Sequence, residues 1–317
     1  MTATPSTPNL TANPTSVVPV VLPSGNTEPG VPHLADLPRC SIWGVPFDRV
    51  TLTEAVDRIE ALIARGAPSY VITANLNYVM LHHNQRELWP ITDAAAMILA
   101  DGQPIVLRSR IGSERLPERV AGSEMIYNLA ERASERKWGI YFLGGEPGVA
   151  QTCADKLKQA YPGMRIAGVE SPPYRPLSEA ERAEQDQRIR DSNAQLLLVA
   201  FGQPKGERWI YENYQRLGVP VSIQLGASFD FIAGTATRAP KLFQRTGLEW
   251  FYRMLTDPKR LVPRYAANAW FLIQALARDW QAKVQSWGMG LEQSESRAVR
   301  RQTDKAAPHC PDREAQG

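Results

Sequence analysis

Apolar residues recur at helical spacing through "TLTEAVDRIEALIARG" (51–66), where Thr51 or Thr53 is placed to cap the first turn and Gly66 to end the last. The period then shortens. "SYVITAN" is a β-rich run ending in polar residues, and "AAAMILADG" is a second buried strand closing on a turn. "EMIYNLAERASERK" returns to helical spacing, with Ser123 ahead of it as a cap. "WGIYFLGGEPG" predicts a strand and a glycine turn, followed by the helix "VAQTCADKLKQAYPG". "MRIAGVESPPY" is strand and loop, "LSEAERAEQDQRIRDSN" a charged helix, and "AQLLLVAFGQPKGE" and "VPVSIQLGASFDFIAG" are each strand and loop. Strands alternating with helices imply an α/β fold, a mostly parallel sheet with helices on both faces.

Composition breaks near Thr237, where aromatics and cations begin to crowd together. The chain divides into a disordered Pro/Thr-rich arm (1–38), an α/β core (39–237), a helical appendage (238–286) and a disordered tail (287–317). The first 27 residues carry no charge, and their one apolar run, "VVPVVLP", is short and holds proline. A signal peptide needs a basic start and an unbroken apolar stretch, so none is read here. No run reaches the ~20 apolar residues of a membrane span. The nearest, "AANAWFLIQALA", is flanked by Arg264 and Arg278. Three scattered cysteines argue against a disulfide framework and fit a reducing compartment. Four histidines form no zinc-binding spacing, and no Asp-x-Asp triplet occurs to hold a divalent cation.

In open parallel sheets, ligands gather beyond the carboxyl ends of the strands. That rule selects Thr73, Asn75 and Asn77; Asp101, Gly102 and Gln103; Gly144, Gly145 and Glu146; Gly202 to Lys205; and Gly226 to Asp230. "FLGGEPG" either cradles a phosphate or simply turns the strand into its helix. It is not the GxGxxG dinucleotide fingerprint. Asp101 in "ILADG" either acts as a general base or caps the helix near Pro104. Thr73 and Asn75 suit sugar hydroxyls, or serve only as loop caps. Arg119 precedes a helix start, where the dipole disfavours a cation; an anion held between the two would resolve this.

Between Arg238 and Val284 stand nine Lys/Arg, three Asp/Glu and eight aromatic residues. One reading is a helical cap whose rings are buried in the core. Another is an interfacial segment, with rings at headgroup depth and cations on lipid phosphates. Nucleic acid is set aside, since the net charge of the whole chain is only +3.

Taken in order, "VITANLNYVM", "ADGQPIVLRSR", "ERVAGSEM", "YFLGGEPGVA", "FGQPKGERWI" and "GASFDFIAGTATRAPKLFQRTGLEWFYRMLTDPKRLVPRY" resemble the WecG/TagA/CpsF glycosyltransferases. The resemblance spans Ser41 to Tyr265. It implies a Rossmann-like core with a C-terminal appendage, and an inverting transfer that uses no obligatory metal and no cofactor. A sugar (N-acetylmannosamine, its uronate or glucose) passes from a UDP-sugar to a polyprenyl-diphosphate-linked saccharide. By the same resemblance Asp101 is the general base. Thr73, Asn75, Gln103, Arg119, Gly122, Gly144, Gly145, Gln203, Lys205 and Glu207 bind substrate. Arg253, Arg260 and Arg264 meet the lipid diphosphate. Gly206 departs from the family's "PKQE" loop, Glu124 stands where an aspartate is usual, and Pro263 departs from a more basic pattern. The implied setting is cytoplasmic and peripheral, on the anionic inner face of the membrane, and a membrane-facing appendage permits control through homo-oligomers. Two rivals stay open: a nucleotide-dependent oxidoreductase of the same architecture and a non-catalytic membrane-bound scaffold.

Overall fold

The computed structural model describes residues 38–112, 114–236, 254 and 258–306, with side chains described to 285 except at 260. The expected arm therefore lies almost wholly outside the described residues, as do Arg253 and the stretch from 237 to 253.

A hairpin that the sequence reading did not anticipate opens the core: β1 (Arg39–Ile42) pairs antiparallel with β2 (Val45–Asp48). Its turn residues Trp43 and Gly44 both have positive φ, the twist that tight hairpins favour. Helix α1 (Leu52–Arg65) follows, with Thr51 rather than Thr53 as its cap. Thr51 accepts from the Glu54 N–H while Glu54 reaches back to the Thr51 N–H. Gly66 ends the helix in the left-handed conformation.

The six-stranded sheet contains β3 (Ser69–Ala74), β4 (Met97–Ala100), β5 (Gly139–Gly144), β6 (Arg165–Glu170), β7 (Leu196–Ala200) and β8 (Val221–Gln224). Its order is β4-β3-β8-β7-β5-β6, and every pairing is parallel. Helices connect the strands: α2 (Leu76–Asn84), α3 (Trp89–Asp93), α4 (Gln103–Ser109), α5 (Gly122–Arg136), α6 (Val149–Ala160), α7 (Glu179–Asp191), α8 (Lys205–Leu217) and α9 (Ser228–Ala233). This is the α/β architecture the alternation implies. The segments after β7 and β8, read from sequence as loops, hold α8 and α9.

Side chains alternate across the strands and build two cores. Val71, Leu99, Phe142, Leu198 and Ile223 face α1, α5, α6 and α9 on one side. Ile72, Ile98, Leu143, Leu197 and Val199 face the hairpin, α2, α4 and α8 on the other. That second side also receives the C-terminal helix α10 (Pro258–Ala306) through Phe271 and Ala275. Phe271 meets Trp43 edge to face at 6.2 Å. Asp279 accepts from Trp43 Nε1 at 3.0 Å and pairs with both Nε and Nη2 of Arg108. A forked arginine–carboxylate contact of this kind fixes orientation as well as distance. The helix passes through Pro263 and continues to Ala306. Its span runs on past 286, the expected end of the appendage.

Replacing Thr51 by alanine removes the capping box, and the expected loss is about 1 kcal/mol of stability, read as a lower urea midpoint with an unchanged slope.

Candidate functional site

Because all six strands run the same way, their carboxyl ends share one edge of the sheet, and there a cavity of about 1040 Å³ opens. Every strand contributes to its wall. Thr73 and Asn75 come from β3, Asp101 and Gln103 from β4, and Gly144 and Gly145 from β5. The Pro172–Leu177 segment follows β6, Gln203 and Lys205 follow β7, and Gln224 ends β8. Arg119 and Ser123 line it from the start of α5, and Arg264 and Asn268 from α10. The opening residues of α2, α4, α5, α8 and α9 all face this space. Their positive dipole ends favour an anion there.

Asp101 does not cap α4, whose N-cap is Gly102 with no side-chain bond. Its Oδ2 instead accepts from the Gly122 N–H at 3.3 Å, across at the start of α5. Ser123, the expected cap of that helix, lies inside it; the N-cap is Ala121, which makes no side-chain bond. Gly122 lets α5 begin close to the sheet, since a Cβ there would lie 3.2 Å from Leu225 and 3.6 Å from Thr73. Arg119 finds its anion within the fold: Nη2 bonds Glu124 Oε1 at 2.8 Å, in the first turn of the helix that should repel it.

The glycine turn is shaped by packing. Gly144 has φ +108, and a Cβ on it would lie 2.9 Å from the Ala200 carbonyl oxygen. The Gly145 N–H is committed to that same oxygen at 3.1 Å. Gly144, Gly145 and Glu146 of "FLGGEPG" line the cavity, whereas Gly148 and Val149, which begin α6, do not. Lys205 holds its ammonium 5.7 Å from the Phe201 ring.

A chain of amides ties α10 to this floor. Arg264 Nε donates to Asn77 Oδ1 at 3.2 Å, and Asn77 Nδ2 donates to Gln203 Oε1 at 3.2 Å. Gln203 Nε2 in turn donates to the Thr73 carbonyl at 3.2 Å. Among the described residues, no three His, Cys, Asp or Glu side chains gather to hold a metal ion. None of the described helices is long and apolar enough to cross a membrane.

The model of the glycosyl transferase WecG/TagA/CpsF family matches residues 40–285, most of the chain. The chain belongs to that family. It is a glycosyltransferase, and the oxidoreductase reading falls. Similar proteins include the N-acetylglucosaminyldiphosphoundecaprenol N-acetyl-beta-D-mannosaminyltransferase of Bacillus subtilis (strain 168), 31% identical over 71% of this chain and 89% of the relative. Enzymes of the same name from Bacillus spizizenii and Staphylococcus aureus (strain NCTC 8325) are 29% and 28% identical. These alignments cover 68% and 70% of this chain, and 84% and 87% of the relatives.

Within this transferase, Glu207 departs from the substrate-binding place expected of it. It lies on the inward stripe of α8 with Ile210, Asn213 and Leu217, is 1% exposed, and does not line the cavity. Neither carboxylate oxygen makes a hydrogen bond of acceptable geometry. Burial pushes its pKa up to about 8; the nearby Gln203 amide and the Arg264 charge pull the other way and lose. Arg253 lies outside the described residues, and the side chain of Arg260 is not described. The Pro172–Leu177 wall, with Tyr174 73% exposed, was missed as part of the site. Its signal was available, since "SPPYRPL" directly follows a strand end.

A carboxyl group neutral when folded and ionised when unfolded destabilises the fold as pH rises. The unfolded chain loses this proton near 4.3, and the folded one retains it until about 8. Stability is therefore expected to decline across that window, and Glu207→Gln should flatten this part of the decline, measured by urea unfolding at a series of pH values.

Proposed function

We propose that the protein transfers a sugar from a UDP-sugar to a polyprenyl-diphosphate-linked saccharide, with inversion, at the cytoplasmic face of the membrane. The observation that carries this reading is Asp101: a carboxylate on the wall of a cavity ringed by helix N-termini and by Arg119, Lys205 and Arg264. The names of the bacterial relatives support an acceptor of the N-acetylglucosaminyl-diphosphoundecaprenol kind and a donated N-acetylmannosaminyl group.

The donor lies across the strand ends, with its diphosphate toward the starts of α2, α5 and α8. Asp101 takes the proton of the acceptor hydroxyl as that oxygen attacks the anomeric carbon opposite UDP. One displacement forms the new glycosidic bond, releases UDP and inverts the centre. A positioned base contributes about 10²–10⁴-fold. Orientation, and stabilisation of the departing diphosphate by cations and helix ends, account for the remainder.

The acceptor's lipid places the reaction beside a bilayer. Helix α10 supports this, because it is apolar on two faces. Leu261, Phe271 and Ala275 are buried against the core, while Trp270 (63% exposed), Ile273, Leu276, Trp280 (65%) and Val284 form an outward stripe. At 100° per residue that stripe spans roughly a third of the helix circumference. Exposed Lys259 and Lys283 flank it, suiting rings at headgroup depth and cations on anionic lipid.

Asp101→Asn keeps an oxygen for the Gly122 N–H, so folding and UDP affinity should persist while UDP release with acceptor falls at least a hundredfold; near-normal turnover removes Asp101 as the base. Trp270→Glu with Trp280→Glu should abolish flotation with anionic vesicles, and the wild-type interaction should weaken as salt rises. Unchanged flotation of the double variant ends the docking assignment.

A further inference from the structure

Gly206 is the second residue of helix α8, and its backbone is not in the left-handed region. Glycine is therefore not needed there for its conformation. Space is what forbids a side chain. A Cβ at 206 would lie 2.5 Å from Cδ of Gln224 and 2.7 and 2.8 Å from the two terminal atoms of its amide. The place that a residue at 206 would fill is already taken by an amide arriving from the end of β8.

That amide is not loose. Gln224 is 1% exposed, although it forms part of the cavity floor. With its nitrogen turned toward β7, it donates to the Val199 carbonyl at 2.5 Å and accepts from the Gly202 N–H at 3.0 Å. Its own backbone carbonyl accepts from Thr73 Oγ1 at 2.8 Å. Gly202 has φ +75 and begins the turn into α8. Its carbonyl accepts from the Gly206 N–H at 2.7 Å, which closes the turn. Gln203, the next residue, joins Thr73 to Asn77 and so to Arg264. Yielding space to a side chain at 206 would break both bonds of a buried amide, and buried polar groups left unpaired are costly.

We propose that Gln224 is a positioning residue that supplies, from β8, the amide that position 206 lacks. It clamps the Gly202–Lys205 turn so that Gln203 and Lys205 meet the donor nucleotide in one fixed arrangement. The departure at Gly206 is then half of an exchange between two neighbouring positions, with Gln224 as the other half. This inference rests on the reading of the cavity as the UDP-sugar site.

The test uses the full-length protein in four forms: wild type, Gln224→Met, Gly206→Gln, and the double variant Gly206→Gln/Gln224→Gly. Methionine keeps the length of the side chain and removes only its amide, and thermal melting shows whether each form is folded. UDP affinity by calorimetry and UDP release with a donor panel are both measured. Each single variant should weaken UDP binding and raise the donor KM about tenfold, the size expected from one or two lost hydrogen bonds, with kcat changed less than threefold. The double variant should recover to within about threefold of wild type, since the two changes relieve one another. Single variants with unchanged UDP affinity, or a double variant whose loss equals the product of the singles, overturn the proposal. If Gly206→Gln fails to fold, Gln224→Met alone decides, by the split between KM and kcat. A wild type that binds UDP but transfers no sugar overturns the transfer reading, while UDP affinity across the four forms still scores the clamp. A wild type that binds no UDP overturns both.

Discussion

Parallel hydrogen-bond registers bring Ala74, Ala100, Gly144, Glu170, Ala200 and Gln224 to the same edge of one sheet. Each strand then has to return over a face of the sheet, and the helices that carry the chain back begin beside that edge. The geometry therefore gathers the starts of several helices in one place, before any side chain is chosen. A cavity at that edge follows from this topology. The chain adds Arg119, Lys205 and Arg264 to the cavity, and sets Asp101 among them. The carboxylate accepts from the Gly122 N–H, so one bond both completes a helix start and holds the acid in position.

The same edge explains how the C-terminal helix belongs to the site. Helix α10 is fastened at Asp279 to Arg108 on α4 and Trp43 on the hairpin. From that anchor it carries Arg264 to Asn77, and through Gln203 to Thr73. The Thr73 carbonyl of β3 and side chains of α2, the β7–α8 turn and α10 thus share one polar network, with the buried acid Glu207 beside it. A polar network of this kind holds one arrangement only while its members stay satisfied. The outward stripe of α10 and its cavity-lining residues Arg264 and Asn268 belong to one helix, so the apolar surface and the cavity wall are mechanically joined.

Much of this was legible in the chain itself. The period of apolar residues set the strands, the alternation implied the parallel sheet, and the rule that ligands collect at strand ends selected Thr73, Asn75, Asp101, Gln103, Gly144, Gly145, Gln203 and Lys205, all of which line the cavity. Local chemistry was readable wherever its cause was local: Thr51, Glu54 and Gly66 bound α1 because caps act over three or four residues. The hairpin at 39–48 escaped notice because its short strands, "RCSI" and "VPFD", carry charge or proline and no unbroken apolar run such as "MILA".

What only the tertiary structure decided were the relations between distant positions. Sequence allowed Asp101 to cap the helix that follows it; space gave its carboxylate to a helix 21 residues away. Arg119 awaited an outside anion until Glu124 proved to be its partner. Glu207 was expected among the binding residues, but the inward stripe of α8 buries it. Gly206 was a missing side chain until Gln224 was found in its place. Periodicity reports which face of an element meets the core, because burial repeats along the chain. It carries no information about which two side chains, far apart in number, come to share one volume; that is settled by packing alone.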